Sequence, residues 1–242
     1  MPIRFVDLEE AKSSPGLRMV LLTSAPSPWT DSVIALTAAK KLDVVAVRMQ
    51  PGVPEIVKWS RVSNAPAVLY NDEIPRSGWA EILTLLERLA PGHVPPEHRV
   101  ELFGLANELL GERGLAWARR GMLVAQGMAT EGKSGLSPRA AQFLIARYGH
   151  KLDEAPWCRQ RITSILNKMR DRLGARELFY DQLSALDLYC AACVNVLYPL
   201  PDSTRPLPEV ARKAFGWCDI EVPPSLVALR DRVAPFFQLD AV

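Results

Sequence analysis

The chain has 242 residues, 48% of them hydrophobic and 23% charged, and its 29 basic and 27 acidic side chains leave a formal net charge of +2. That is globular composition, long enough for one large domain or two small ones, and so even a balance gives no footing for a nucleic-acid partner. No apolar run approaches the roughly 18 residues of a membrane span. Four cysteines without secretory context read as reduced thiols in a cytoplasm, and three scattered histidines (His93, His98, His150) give no basis for a metal site.

Residues 1–16 carry Asp7, Glu9, Glu10 and Lys12 and no signal-peptide pattern, so they read as a polar extension or a short surface helix. Leu17 to Thr23 is expected to form a buried strand, Trp29 to Lys41 a helix, and Asp43 to Met49 a second strand. After a break at Pro51-Gly52 comes a short amphipathic segment, Val53 to Ser60, with Val53, Ile56 and Val57 on one face. Pro66 to Tyr70 reads as a third strand and Asn71-Asp72 as a turn. Trp79 to Leu89 is a helix whose Ile82, Leu85, Leu86 and Leu89 recur at spacings of three and four. The alternation predicts a four-stranded mixed sheet within residues 17–91.

The Pro/Gly-rich stretch Ala90 to His98 has linker composition, with the linker placed at residues 92–97. Beyond it strand signals vanish, and residues 98–242 read as an all-helical domain. Val100 to Arg120 is expected as one long amphipathic helix. Ser137-Pro138 supplies an N-cap and a first helical residue for Arg139 to Tyr148. Pro156 to Leu173 is a further helix. Ser184-Ala185-Leu186-Asp187 forms a capping-box start, with Leu183 and Leu188 placed as a hydrophobic staple, for the apolar helix Leu186 to Leu197. Ser225 to Phe236 is the last. Cys190 and Cys193 share one face of an apolar helix with no second ligand pair, which is core packing rather than a metal site.

Three segments, in this order and spacing, carry a resemblance. They are Ser27-Pro28-Trp29-Thr30 at a strand-to-helix turn, Ala65-Pro66-Ala67-Val68 preceded by Ser63-Asn64, and the Leu183 to Leu188 box. Together they resemble the cytosolic glutathione S-transferase superfamily over roughly residues 17–237. The resemblance implies an α/β thioredoxin-like N-terminal domain (17–91) joined to an all-α C-terminal domain, with a cis bond before Pro66. It implies a cytoplasmic homodimer that uses glutathione as co-substrate, without a metal, to conjugate or cleave a small apolar electrophile. Ser27 is then the catalytic residue, Ala65 and Pro66 dock the tripeptide backbone, and Trp29 joins them. Trp117 and Arg120 fall on the helix that lines the electrophile cleft in this family.

Two departures stand out. The first strand starts about 16 residues later than is usual in the family, and the third helix lacks the family's Glu/Gln-Ser opening, which holds the γ-glutamyl carboxylate. Aligning Ile82, Leu85 and Leu86 with the apolar pattern of that helix puts Gly78-Trp79 in its place, and a register shifted to use Ser77 puts Arg76 where the acid is expected. Arg76, Ser77, Gly78, Trp79 and Glu81 are therefore the candidates at this helix start, where anions are favoured. Arg76 is suited to a carboxylate and Glu81 to an ammonium.

Without a cysteine at the first turn, thiol–disulfide exchange is excluded there. Lowering a thiol pKa from about 8.5 to about 6.5 requires roughly 2.7 kcal/mol. A charge-assisted hydrogen bond from Ser27 contributes about 1.5–3 kcal/mol and a helix N-terminus about 0.3–1 kcal/mol, so hydroxyl and helix together suffice. The competing reading makes Ser27 or Thr30 a helix cap. The rival to an enzyme is a binding protein that kept the fold and lost the anchor at Gly78-Trp79. A third reading has Arg76 hold a different acidic ligand.

Overall fold

The computed structural model describes residues 3–50 and 53–239; Pro51-Gly52 and both extreme termini lie outside the described residues. The central strand β2 (Leu17–Leu21) is buried along its whole length. It pairs in parallel with β3 (Val44–Arg48) and antiparallel with β4 (Ala67–Tyr70). Strands buried on both faces read as continuous apolar runs, which is why these segments were legible. The period of two still sorts the faces. Leu17, Met19 and Leu21 enter the main core, while Val20 joins Val47, Ala67 and Ile56 in a smaller one on the opposite side.

The fourth strand is not where the alternation placed it. It comes from the N-terminal extension: β1 (Arg4–Phe5) adds to the sheet in parallel beside β3, giving the order β1-β3-β2-β4. Helix α1 (Leu8–Ser13) follows, capped by Asp7, and its Ala11 is fully buried in the smaller core. Past the Asn71-Asp72 turn, where a fourth strand within residues 17–91 had room to form, the chain makes only a single bridge between Val68 and Arg76. Pro75 has no N–H to extend that ladder.

Helix α2 (Pro28–Ala39) joins β2 to β3, α3 (Pro54–Ser60) joins β3 to β4, and α4 (Trp79–Leu89) closes the first half. Helix α4 buries Ile82, Leu83, Leu85 and Leu86, the face that the spacing predicted. The expected helix from Val100 to Arg120 is two helices, α5 (Arg99–Leu110) and α6 (Leu115–Ala129). The break is steric and conformational. A Cβ on Gly114 would lie 2.6 Å from the Glu108 carbonyl, and Arg113 adopts φ 60°. Helices α7 (Pro138–Tyr148), α8 (Ala155–Leu173), α9 (Ala185–Asn195), α10 (Glu209–Gly216) and α11 (Pro224–Val233) complete the chain.

Helix α9 is buried at every position and packs against α2, α5 and α11. Its capping box is formed: Asp187 Oδ2 accepts from the Ser184 N–H at 2.8 Å, and Asp187 Oδ1 accepts from the Phe179 N–H at 2.8 Å. The seam between the sheet half and the helical half also carries a buried ion pair. Arg205 Nη2 donates to Asp31 Oδ1 at 2.9 Å, and Asn195 Nδ2 donates to Asp31 Oδ2 at 3.2 Å.

Asp31 and Arg205 are almost fully buried, so removing one partner strands the other's charge. Asp31→Ala is expected to cost about 3–5 kcal/mol in urea denaturation. The double variant Asp31→Leu, Arg205→Met should recover most of that loss, and a double variant as unstable as the single one contradicts this account.

Candidate functional site

The sheet register brings two loops to one end. Val20 lies opposite Ala67, so the chain leaving β2 toward Ser27 and the chain entering β4 through Pro66 emerge side by side. Ser27 is buried and takes the N-cap position of α2, with an extended backbone. Its Oγ accepts from the Thr30 N–H at 3.4 Å, a long bond. A cap uses only an acceptor lone pair of a hydroxyl, so the proton that a thiolate would need remains on Oγ. Thr30 Oγ1, also buried, has no partner among the described residues.

The Ala65-Pro66 bond is cis, as the resemblance implied; Pro66 is buried and Ala65 half-buried. The preceding loop is gripped from the helical half. Arg147 Nη2 donates to Asn64 Oδ1 at 2.6 Å and to Ser63 Oγ at 2.5 Å, and the Tyr148 hydroxyl donates to Asn64 Oδ1 at 3.1 Å.

At the start of α4, the charged candidates have internal partners. Arg76 pairs with Glu73 at 2.6 Å, and Glu73 pairs also with Arg88 at 2.6 Å. Arg88 and Arg76 together hold the Glu73 carboxyl below its usual range. Glu81 Oε2 accepts from the Gly78 N–H at 3.4 Å, reaching back over its own helix start. The Trp79 ring leaves the surface to pack 5.7 Å from Phe103 and 6.2 Å from Tyr189, while Ser77 and Gly78 stay exposed. Gly78-Trp79 thus contributes one exposed backbone position and one half-buried side chain packed against the core.

Trp117 and Arg120 come together with residues that the sequence analysis did not assemble. The Arg120 guanidinium carbon lies 3.9 Å from the centroid of Tyr148, 4.7 Å from that of Trp117 and 5.0 Å from that of Trp29. Its Nε donates to His150 Nε2 at 2.9 Å. Trp29 is fixed independently, its indole N–H donating to the Leu110 carbonyl at 2.8 Å. His150 is 5% exposed, and burial, then the Arg120 charge, lowers it to about 4. It is therefore a neutral acceptor near pH 7. Gly121 makes room for it, since a Cβ there would lie 3.4 Å from His150 Nδ1 and 3.0 Å from Cys158 Sγ. The signal in the sequence was Gly149, which ends α7 at φ 69° and turns the chain so that His150 packs back against α6. The neighbouring Arg119 has a structural task, bonding the carbonyls of Val196, Phe215 and Trp217.

The surface grooves along α8 and beside β1 share no residue with this assembly. No helix among the described residues is long and apolar enough to cross a membrane.

No protein-family model matches the chain, and no curated protein matches it in sequence. Solved structures do match. A glutathione S-transferase domain-containing protein of Marinobacter aquaeolei superposes with TM-score 0.62 at 16% identity, over 91% of this chain and 100% of that one. A rice glutathione S-transferase in complex with glutathione gives 0.61 at 17%, over 95% and 94%. A glutathione S-transferase of Methylobacterium radiotolerans, in complex with glutathione sulfonate, gives 0.56 at 19%, over 93% and 96%. The chain has the glutathione-transferase fold, a thioredoxin-like α/β half and an all-helical half.

His150 makes a testable contribution to stability. Its folded pKa lies below its ordinary value of 6.5, so its contribution is complete above about pH 6.5 and is lost as pH falls toward 4. Between pH 7 and pH 5 the loss is expected to be about 2 kcal/mol. Urea denaturation of wild type and His150→Gln, which keeps an acceptor for Arg120, should show that pH-dependent difference in the wild type alone. Parallel pH profiles would rule it out.

Proposed function

We propose that the chain is a glutathione-binding transferase-like enzyme that joins glutathione to, or uses it to cleave, a small electrophile. The observation that carries this reading is the convergence of the Ser27 end of α2 and the Ala65–cis-Pro66 loop at one end of the sheet. The backbone of the half-buried Ala65 suits pairing with that of a tripeptide, and the α2 N-terminus suits a thiolate. The fold neighbours from rice and Methylobacterium radiotolerans, with glutathione and glutathione sulfonate bound, support the choice of tripeptide. In this reading Ser27 donates its proton to the thiolate sulfur while its lone pair caps the helix. Trp29 and Pro66 frame the cysteinyl portion, and the Gly78 backbone and Ser77 receive the γ-glutamyl end. A cytoplasmic homodimer remains part of the proposal, by resemblance alone.

One observation favours a second reading, in which the protein binds a ligand without catalysis. Arg76 and Glu81, the two charges at the anchor helix, are engaged with Glu73 and the Gly78 N–H.

Calorimetric titration with glutathione separates the two, and no binding at millimolar glutathione overturns the first. If Ser27 activates the thiol, Ser27→Ala should lower turnover roughly 10–100-fold, the factor that about 1.5–3 kcal/mol of lost charge-assisted bonding implies. Glutathione affinity should change far less. The lost cap should also cost about 1 kcal/mol of stability. Ultraviolet difference absorbance across pH reads the thiolate directly, and an unchanged thiol pKa with unchanged turnover reduces Ser27 to a cap.

A further inference from the structure

The arginines at the junction of the two halves are satisfied in different ways. Arg205 has the Asp31 carboxylate and Arg119 has backbone carbonyls. Arg120 has neither. Among the described residues its partners are the rings of Trp29, Trp117 and Tyr148, the neutral Tyr148 hydroxyl and the neutral His150 nitrogen, with no carboxylate in ion-pair reach. It remains a cation: burial lowers it only to about 10. Cation–π contacts offset part of the cost of taking such a charge out of water, but a half-buried cation without a counter-charge favours a ligand that brings one. Nε is committed to His150, and the Tyr148 hydroxyl, which donates to Asn64, offers the guanidinium only a neutral acceptor. The two terminal nitrogens therefore meet no charged acceptor, and their planar fork matches a carboxylate.

Position decides which carboxylate. Trp29, whose ring the guanidinium faces, stands two residues after Ser27. The charge thus belongs beside the α2 start, the end of the site where the sulfur would sit. We propose that Arg120 is a specificity residue that holds the carboxylate of the second substrate, an aromatic or unsaturated acid whose apolar body lies against Trp117 and Trp29. This rests on the glutathione reading above. In the reaction, the thiol proton passes to solvent and the sulfur forms a bond to the electrophilic carbon. With an aryl chloride, the C–Cl bond then breaks and chloride leaves with the electron pair. The carboxylate takes no part and stays on Arg120.

The test compares wild type with Arg120→Met, which refills the aromatic cage with a flexible apolar side chain, and with Arg120→Lys, which keeps the charge but loses the fork. Two electrophiles are used, a chloro-nitrobenzoate and the neutral chloro-dinitrobenzene. In Arg120→Met the ratio of kcat/KM for the benzoate to that for the neutral compound should fall about tenfold or more, mainly through KM. Arg120→Lys should fall in between. Benzoate alone should quench tryptophan fluorescence in the wild type and lose that affinity in Arg120→Met, while the glutathione Kd moves little. An unchanged selectivity ratio with unchanged benzoate affinity overturns the proposal. So does a loss of glutathione affinity as large as the loss for benzoate, which would assign the guanidinium to the tripeptide. Arg120-dependent benzoate binding in a wild type that takes up no glutathione supports the carboxylate site and overturns only the glutathione reading.

Discussion

The pairing of Asp31 with Arg205 and Asn195 is the constraint on which the rest of the molecule depends. Asp31 sits in the first turn of α2, four residues after Ser27. Burial pushes its carboxyl upward, against the pull of Arg205 and Asn195. Such a group is tolerated only where its partners are placed correctly, so it acts more as a positional lock than as a source of net stability. Asn195 ends α9 and also accepts from the Leu200 N–H at 2.8 Å, so the lock ties the α2 start to the central helix of the second half. The Ser27 hydroxyl is consequently held by the helical domain as much as by its own sheet.

A second set of contacts spans the same junction by softer means. Arg147 and Tyr148, at the end of α7, hold the Ser63-Asn64 loop, and Trp29 reaches across to the end of α5. These are hydrogen bonds at partly exposed positions, each contributing about 0.5–1.5 kcal/mol net. The seam is therefore rigid at the α2 start and more easily opened at the cis-proline loop.

Much of this was legible from local pattern. Strands buried on both faces, the Ser137-Pro138 start, the Ser184–Asp187 box and the cis-proline motif each carry their information within a few residues. What failed lacked a local period or was hidden by one that continued. A two-residue strand at Arg4–Phe5 has no alternation to read. The leucines on both sides of Gly111–Gly114 keep a helical spacing through a break that only the crowding at Gly114 and the left-handed Arg113 reveal. In the candidate site, Ser27, Pro66, Trp117 and Arg120 were each legible singly. The pairings around them were not, because Asp31 and Arg205 lie 174 positions apart and Arg120 and His150 lie 30 apart.

Arg119 and Arg120 show why adjacency in sequence says little about role. The step of about 100° between neighbouring helical residues sends one side chain toward the end of α9 and the next toward α7 and Trp29. Arg119 Nε and Nη2 meet the carbonyls of Val196, Phe215 and Trp217 and so secure the chain at the ends of α9 and α10. Arg120 meets π-faces, which attract a cation but leave its charge uncancelled. Both are desolvated and both are lowered by burial. Among the described residues neither pairs with a carboxylate; Arg119 is enclosed by backbone carbonyls, whereas Arg120 is held by ring faces and one neutral imidazole.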